Sequence, residues 1–289
     1  MMPCACHCAA CRAAGHGNAC VVLRISLLRL FHGKADIVDL VLRHLRHYHR
    51  ASGWGTAHFD TGILCVQYGP AGDVIAAGDA DGRIHLICSQ TGEKISCPLK
   101  VDGDVCSVAY STDGTKLAAG LAYPSNSVLI FDLQTNEQIC FLKAHSSQVY
   151  AVAWSPCGQW LASGGCDRMI YVYDAKTFEV KSSLTGHGKR VAGVCFDRTG
   201  KTIASCSWDV TISSSIEFWD SATGAAIGSP VSVLERVDSI EFAPCGNKLA
   251  AACGMDGVKI FSKESTGNFV FQSTMKCRPK YMFTHKYFQ

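Results

Sequence analysis

An aromatic residue followed four positions later by a glycine recurs five times along the chain, and this spacing constrains the fold more than any other feature. The pairs are Tyr68/Gly72, Tyr110/Gly114, Trp154/Gly158, Phe196/Gly200 and Phe242/Gly246, and successive aromatics lie 42, 44, 42 and 46 residues apart. Each aromatic closes a short run of alternating apolar residues, beginning at Ile63, Val105, Val149, Val191 and Val237. The intervening segments read GPAG, STDG, SPCG, DRTG and APCG, which is the chemistry of tight turns. An Ala-rich apolar segment follows each turn, then a polar loop, then a second alternating run (RIHLIC, SVLIFD, MIYVYD, SIEFWD, VKIFS). A threonine-marked turn closes each run, at Thr91, Thr135, Thr177, Thr223 and Thr266.

Period-2 alternation is the pattern of half-buried strands. Each unit holds three clear strands and a weaker fourth, such as Gln138–Leu142 or Val180–Leu184. A four-stranded antiparallel unit repeated every ~40–45 residues is a propeller blade, and such a blade buries its faces only by stacking on its neighbours. The expected fold class is therefore all-β: a propeller of about five recognisable blades, which either close tightly, leave a gap covered by the helical N-terminus or a partner, or belong to a fragment, with an open or capped arc as the favoured form. Three regions are expected: a basic Cys/His-rich segment over 1–56, partly helical or disordered, the repeat domain over 57–275, and a basic aromatic tail over 276–289.

The repeats resemble WD40 repeats, whose signature is Gly-His ahead of the first strand and Trp-Asp ending the third. Gly186-His187 and Trp219-Asp220 match it, Ala144-His145, Tyr173-Asp174 and Phe131-Asp132 are variants of it, and Ile87-Cys88 and Phe261-Ser262 are degenerate. The resemblance implies a hydrogen-bonded tetrad of His, Ser, Asp and Trp in a complete blade. The repeat beginning at Val191 supplies His187, Ser205, Asp209 and Trp219, and the preceding one supplies His145, Ser163, Asp167 and, in the Trp place, Tyr173. The first repeat keeps only Asp81, with His58 displaced by one position, and Ala119 and Ala251 replace the serine in the second and fifth. The resemblance further implies partner contacts beside the start of the first strand and just before the tetrad Asp. Those places hold Asp104, Gln148, Tyr150, Arg190, Trp208, Arg236 and Asp238. Trp208 stands out because it lies outside the alternating pattern, where a large apolar side chain has no evident core role.

Several groupings look like chemistry. Ser205, His187 and Asp209 have the residue types of a nucleophilic triad, but the same set recurs one blade earlier and neither serine sits in a GxSxG elbow. Thr199–Thr202 ends in GKT, yet Cys195 occupies the place of the first P-loop glycine. Cys4, Cys6, His7, Cys8 and Cys11 are weak candidates for a metal site. Lys276, Arg278, Lys280 and Lys286 alternate with aromatics in a way that suits single-stranded nucleic acid, on too short a segment to favour that reading.

Charge and composition narrow the function further. Lys and Arg number 27 against 24 acids. Residues 51–264 carry 16 basic side chains against 22 acidic ones, so the repeat body is acidic and is not a default polyanion binder. No apolar run reaches the ~18–20 residues of a membrane-spanning helix. The 17 cysteines form no recurring CxxC pair in the body, which suits a reducing compartment, cytoplasmic or nuclear. The expected function is that of a non-catalytic scaffold or complex subunit with protein partners, no cofactor, no nucleic acid, and self-association if the ring is open. The alternative is an enzyme or metal-binding protein using the N-terminal Cys/His cluster or a pocket at the propeller axis.

Overall fold

The computed structural model describes Phe59 and residues 61–208, 214–243, 245–253, 257–264 and 267–275. Among these residues there is no helix, and the strands form five four-stranded sheets. The first sheet comprises β1 (Ile63–Tyr68), β2 (Val74–Asp79), β3 (Arg83–Cys88) and β4 (Leu99–Lys100). The second holds β5 (Gly103–Tyr110), β6 (Lys116–Pro124), β7 (Val128–Asp132) and β8 (Glu137–Leu142). The third holds β9 (Val149–Trp154), β10 (Trp160–Gly165), β11 (Ile170–Asp174) and β12 (Val180–Leu184). The fourth runs through β13 (Val191–Phe196), β14 (Thr202–Ser207), β15 (Ser214–Asp220) and β16 (Val231–Val233), and the fifth through β17 (Val237–Phe242), β18 (Lys248–Cys253), β19 (Gly257–Lys263) and β20 (Phe269–Met275). Every sheet is an antiparallel meander in sequence order, so each is one blade.

The periodic glycines are explained by the turn between the first two strands. Gly72, Gly114, Gly158, Gly200 and Gly246 all have φ between 71° and 77°, where a Cβ is disfavoured. Each donates its N–H to the carbonyl three residues back, as in Gly158 to Ser155 at 2.9 Å. The acid that ends the third strand caps the next turn: Asp132 accepts from the amides of Gln134 and Thr135, Asp174 from Lys176 and Thr177, and Asp220 from Ala222 and Thr223. The threonine then accepts in its turn, Thr135 from Glu137 and Thr177 from Glu179, so both signature residues serve the same reversal.

Blades stack through four apolar clusters, one at each junction. Leu117, Val105 and Val108 pack against Ala76 and Ile84 between the first two blades, and Val191, Val194 and Ile203 pack against Ala162 and Val172 between the third and fourth. Phe242, Leu249 and Phe261 meet Ile216 and Phe218 at the last junction, where Phe218 stacks on Phe269 at 4.6 Å. Close approach is set by small residues in the second strand. A Cβ on Gly78 would lie 2.4 Å from Val105, on Gly120 2.9 Å from Val149, and on Gly164 2.5 Å from Val191. Each valine opens the following blade, so the glycine of one repeat is dictated by the first strand of the next.

The first strands contact one another in the order β1, β5, β9, β13, β17. Among the described residues no comparable contact joins β17 to β1, so these five blades form an open series. In each meander the first strand starts, the second ends, the third starts and the fourth ends at one edge, and this shared edge forms a face of the molecule. The second blade projects there: β6, at 9 residues against 6 for β10, runs on to Pro124, pairs with Gly103, and leaves Tyr123 74% exposed.

Because the Gly164 site has no free volume, Gly164→Val is expected to lower stability by about 1–3 kcal/mol through overpacking. Thermal unfolding should show a drop of several degrees, while the same change at the open turn position Gly188, where a Cβ meets nothing within 4 Å, should cost far less.

Candidate functional site

Two kinds of polar arrangement sit on the blades: buried networks inside the third, fourth and first, and a half-buried ladder across the third to fifth. In the third blade His145 Nδ1 lies 2.9 Å from both oxygens of Asp167, and its Nε2 lies 2.7 Å from the Ser163 hydroxyl. The Tyr173 hydroxyl completes the set at 3.2 Å from Ser163. The Ser163 hydroxyl thus bridges the imidazole and the phenol, while the Asp167 carboxylate accepts from the other side of the ring. Burial alone would raise the Asp167 carboxyl, but the hydrogen bond and charge of His145 and the amides of Met169 and Ser146 outweigh it and hold the pKa below the usual range.

In the fourth blade Trp219 donates its indole N–H to Ser205 at 2.8 Å, and Ser205 lies 2.7 Å from His187 Nε2. The acid facing His187 Nδ1 among the described residues is Glu217, at 3.1 Å, with Ser215 at 2.9 Å. Asp209, the sequence candidate for this place, lies outside the described residues. Glu217 is held below its ordinary pKa against burial by His187 and Ser215. Ser215 lies at the start of the third strand, which has 7 residues here against 5 in the third blade.

The first blade departs from expectation. Its buried acid is Asp79, at the end of β2, which accepts from His85 Nε2 at 2.9 Å, from the amides of Arg83 and Asp81 at 2.8 and 3.0 Å, and from Thr61 at 3.0 Å. Asp81 is instead half-exposed and pairs with Arg83 at 3.0 Å. The imidazole here comes from inside the third strand, and Phe59 packs edge-on against it at 4.8 Å. The sequence signal was available: His85 is a lone polar residue in RIHLIC, and Asp79 sits two places before Asp81. His58 lies outside the described residues.

On the shared face, six of the seven candidate contact residues form one connected ladder. Gln148 accepts from the Tyr150 hydroxyl at 2.7 Å, and the Arg190 guanidinium lies 5.2 Å from the Tyr150 ring and 3.2 Å from the Trp208 ring. Arg236 lies over the same indole at 4.5 Å and forms an ion pair with Asp238, Nε to Oδ1 at 2.8 Å. Trp208 is fixed at its backbone, donating its amide to the Arg190 carbonyl at 3.0 Å, which joins the loop after β14 to the loop before β13. Asp104 stands apart, exposed at the start of β5. Sequence reading missed Leu234 and Tyr123, 83% and 74% exposed on this face. It also missed the thiols of Cys106 and Cys166 beside Tyr150; burial pushes Cys106 up to about 12, so it is no nucleophile at neutral pH.

Three stretches, 54–87, 136–174 and 178–220, match the model of the family described as WD domain, G-beta repeat. Those three stretches are WD40 repeats. The unmatched stretches contain Ala119 and Ala251, where WD40 repeats of the complete kind have the network serine. Among curated proteins the chain is 26% identical over 205 residues to the periodic tryptophan protein 2 homolog of Dictyostelium discoideum, covering 70% of this chain and 22% of that one. It is 26% identical over 151 residues to a subunit of chromatin assembly factor 1 from Mus musculus, covering 44% and 26%. The chain thus spans about a quarter of the length of the curated relatives it matches. A chain of the crystal structure of the mitotic checkpoint complex superposes with a TM-score of 0.68 at 23% identity, over 76% of this chain and 67% of that one. That likeness shows the propeller fold.

Cys4, Cys6, His7, Cys8, Cys11 and the helices expected before residue 57 lie outside the described residues, as do Lys276, Arg278, Lys280 and Lys286. Among the described residues no group of His, Cys, Asp and Glu is placed to hold a metal ion, and every cysteine is a free thiol. No helix among them is long and apolar enough to cross a membrane.

Asp167→Asn removes the carboxylate from the third-blade network and is expected to cost on the order of 1–3 kcal/mol at neutral pH. A carboxyl with a depressed folded pKa stabilises the protein above its unfolded pKa and loses that effect as pH falls through the folded one. The stability gap between wild type and variant should therefore be full at pH 7 and shrink below pH of about 4, as measured by denaturant unfolding across pH.

Proposed function

We propose that this WD40 chain is a non-catalytic scaffold or complex subunit, and that it docks other proteins on the face carrying the Tyr150–Arg190–Trp208–Arg236 ladder. The ladder is the observation that carries this reading. Binding energy at protein interfaces concentrates in a few Trp, Tyr and Arg anchors set in partly desolvated surroundings, and this face offers all three types in contact, drawn from three blades. Their rotamers are restricted before any partner arrives, which lowers the entropic cost of association. The name of one relative points the same way, since it is a subunit of an assembly factor.

The triad-like sets support the non-catalytic side. Ser205 is fully buried with its oxygen bound to an indole, and His187 is buried beside it. A nucleophile must reach a substrate carbonyl, and these hydroxyls face protein on every side. The many free thiols fit a protein working in the cytoplasm or nucleus.

Trp208→Ala is expected to weaken partner binding by about 30-fold or more, the level of a 2 kcal/mol anchor. Affinity capture or proximity labelling from cells should show most partners depleted relative to wild type, with circular dichroism confirming that the sheets persist. Arg236→Gln gives a second, milder reading of the same face. Retention of the full partner set by both variants would remove the ladder as the docking surface.

A further inference from the structure

From the charge pattern around the ladder we infer the chemistry of the partner: an acidic protein segment that places a carboxylate on Arg190 and an apolar side chain on Trp208 and Leu234. This rests on the reading of the face as a docking surface and adds to it the identity of what docks. Three acids described on this side of blades three to five are already engaged. Asp167 is bound by His145, Asp238 by Arg236, and Glu235 by Lys259.

Arg190 is different. Its guanidinium is clamped between the rings of Tyr150 and Trp208, half-buried, and no carboxylate among the described residues lies within ion-pair distance of it. Stacking against an indole leaves the in-plane N–H donors of an arginine directed outward, in the fork geometry that matches a carboxylate. Lys143, Arg168 and Lys189 are exposed in the adjoining loops and likewise have no ion-pair partner among the described residues. The described residues thus present Arg190, held against two rings, and three exposed cations without an ion-pair partner, with an exposed leucine, Leu234, two residues before Arg236. A nucleic acid is the weaker fit, because residues 51–264 hold 22 acids against 16 Lys and Arg and would repel an extended polyanion.

The test uses the intact chain and fluorescein-labelled peptides in which Leu alternates with Glu, or with Gln, read by fluorescence anisotropy. The Glu/Leu peptide is expected to bind at least about tenfold more tightly than the Gln/Leu peptide, a difference of ~1.4 kcal/mol. Arg190→Gln should bring the two peptides to the same Kd. Lys201→Gln removes a cation from the opposite edge of the fourth blade and should leave the difference intact.

Equal binding of the two peptides, no binding of either, or a preference that survives Arg190→Gln would overturn the acidic-segment assignment. So would a preference lost equally with Lys201→Gln, or displacement of the Glu/Leu peptide by single-stranded oligothymidylate at lower concentration than by unlabelled peptide. The broader reading is separable from this one. If Trp208→Ala depletes cellular partners while Arg190→Gln retains them, the face still docks proteins and the acidic segment is wrong; if Trp208→Ala retains them all, the face itself is wrong.

Discussion

No blade of this chain can bury its own faces, and the structure depends on how closely one sheet can lie on the next. That distance is set where a second-strand residue without a large side chain meets the valine opening the following first strand. Gly78, Gly120 and Gly164 meet Val105, Val149 and Val191, each too close for an added methyl. At the fourth junction Cys206 takes the place of the glycine and its thiol reaches toward the Val237 carbonyl, 3.8 Å away. Interblade hydrogen bonds then fix the register: Trp154 donates its indole N–H to the Ala109 carbonyl at 3.1 Å, and the Gln67 side chain accepts from the Tyr110 amide at 2.7 Å. Apolar area supplies the energy and these few directional contacts supply the alignment.

The buried networks solve a second problem, that of polar groups enclosed between stacked sheets. In all three an acid orients an imidazole; in the third and fourth blades a serine hydroxyl meets the other ring nitrogen, whereas His85 Nδ1 in the first is buried with no hydrogen-bond partner among the described residues, and the acid comes from three places. The third blade uses the loop acid Asp167, the fourth brings Glu217 from its third strand to His187, and the first inverts the scheme by using strand-borne His85 with Asp79. Charge, distance and burial are what the sites share; sequence position is not. Blades two and five place Ala119 and Ala251 at the serine position and remain packed by Leu117, Phe131, Leu249 and Phe261, as expected where an apolar group of similar size replaces a polar one with its partners.

This distinction also explains what could be read from the sequence. The five blades and their turns were legible because each depends on a backbone requirement, a positive φ at Gly72 and its counterparts or an acid cap at Asp174, that admits few residue types. The neighbourhood of the candidate residues beside each first strand was legible because the repeat fixes where the loops meet. What the sequence could not supply was which of those positions touch across blades: that Arg190 would lie on Trp208, or that Tyr150 would reach it from the third blade, follows from sheet stacking and not from local pattern. Asp81 was misplaced for a related reason, since spacing from a turn locates a loop acid but does not say which of two nearby carboxylates turns inward.

The ladder and the core are therefore not independent. Trp208 is held by a backbone bond to Arg190 within the fourth blade, while Tyr150 and Arg236 arrive on the neighbouring blades, across the two junctions packed by Val191 and Val237. Displacing either junction by an ångström would part rings and guanidinium groups whose attraction falls off over that distance. A partner that grips all three blades binds only the stacked arrangement, and by mass action it stabilises the junctions that assemble its site. Among the described residues no contact between the first and fifth blades braces the series, so the alignment of the ladder rests on these two junctions.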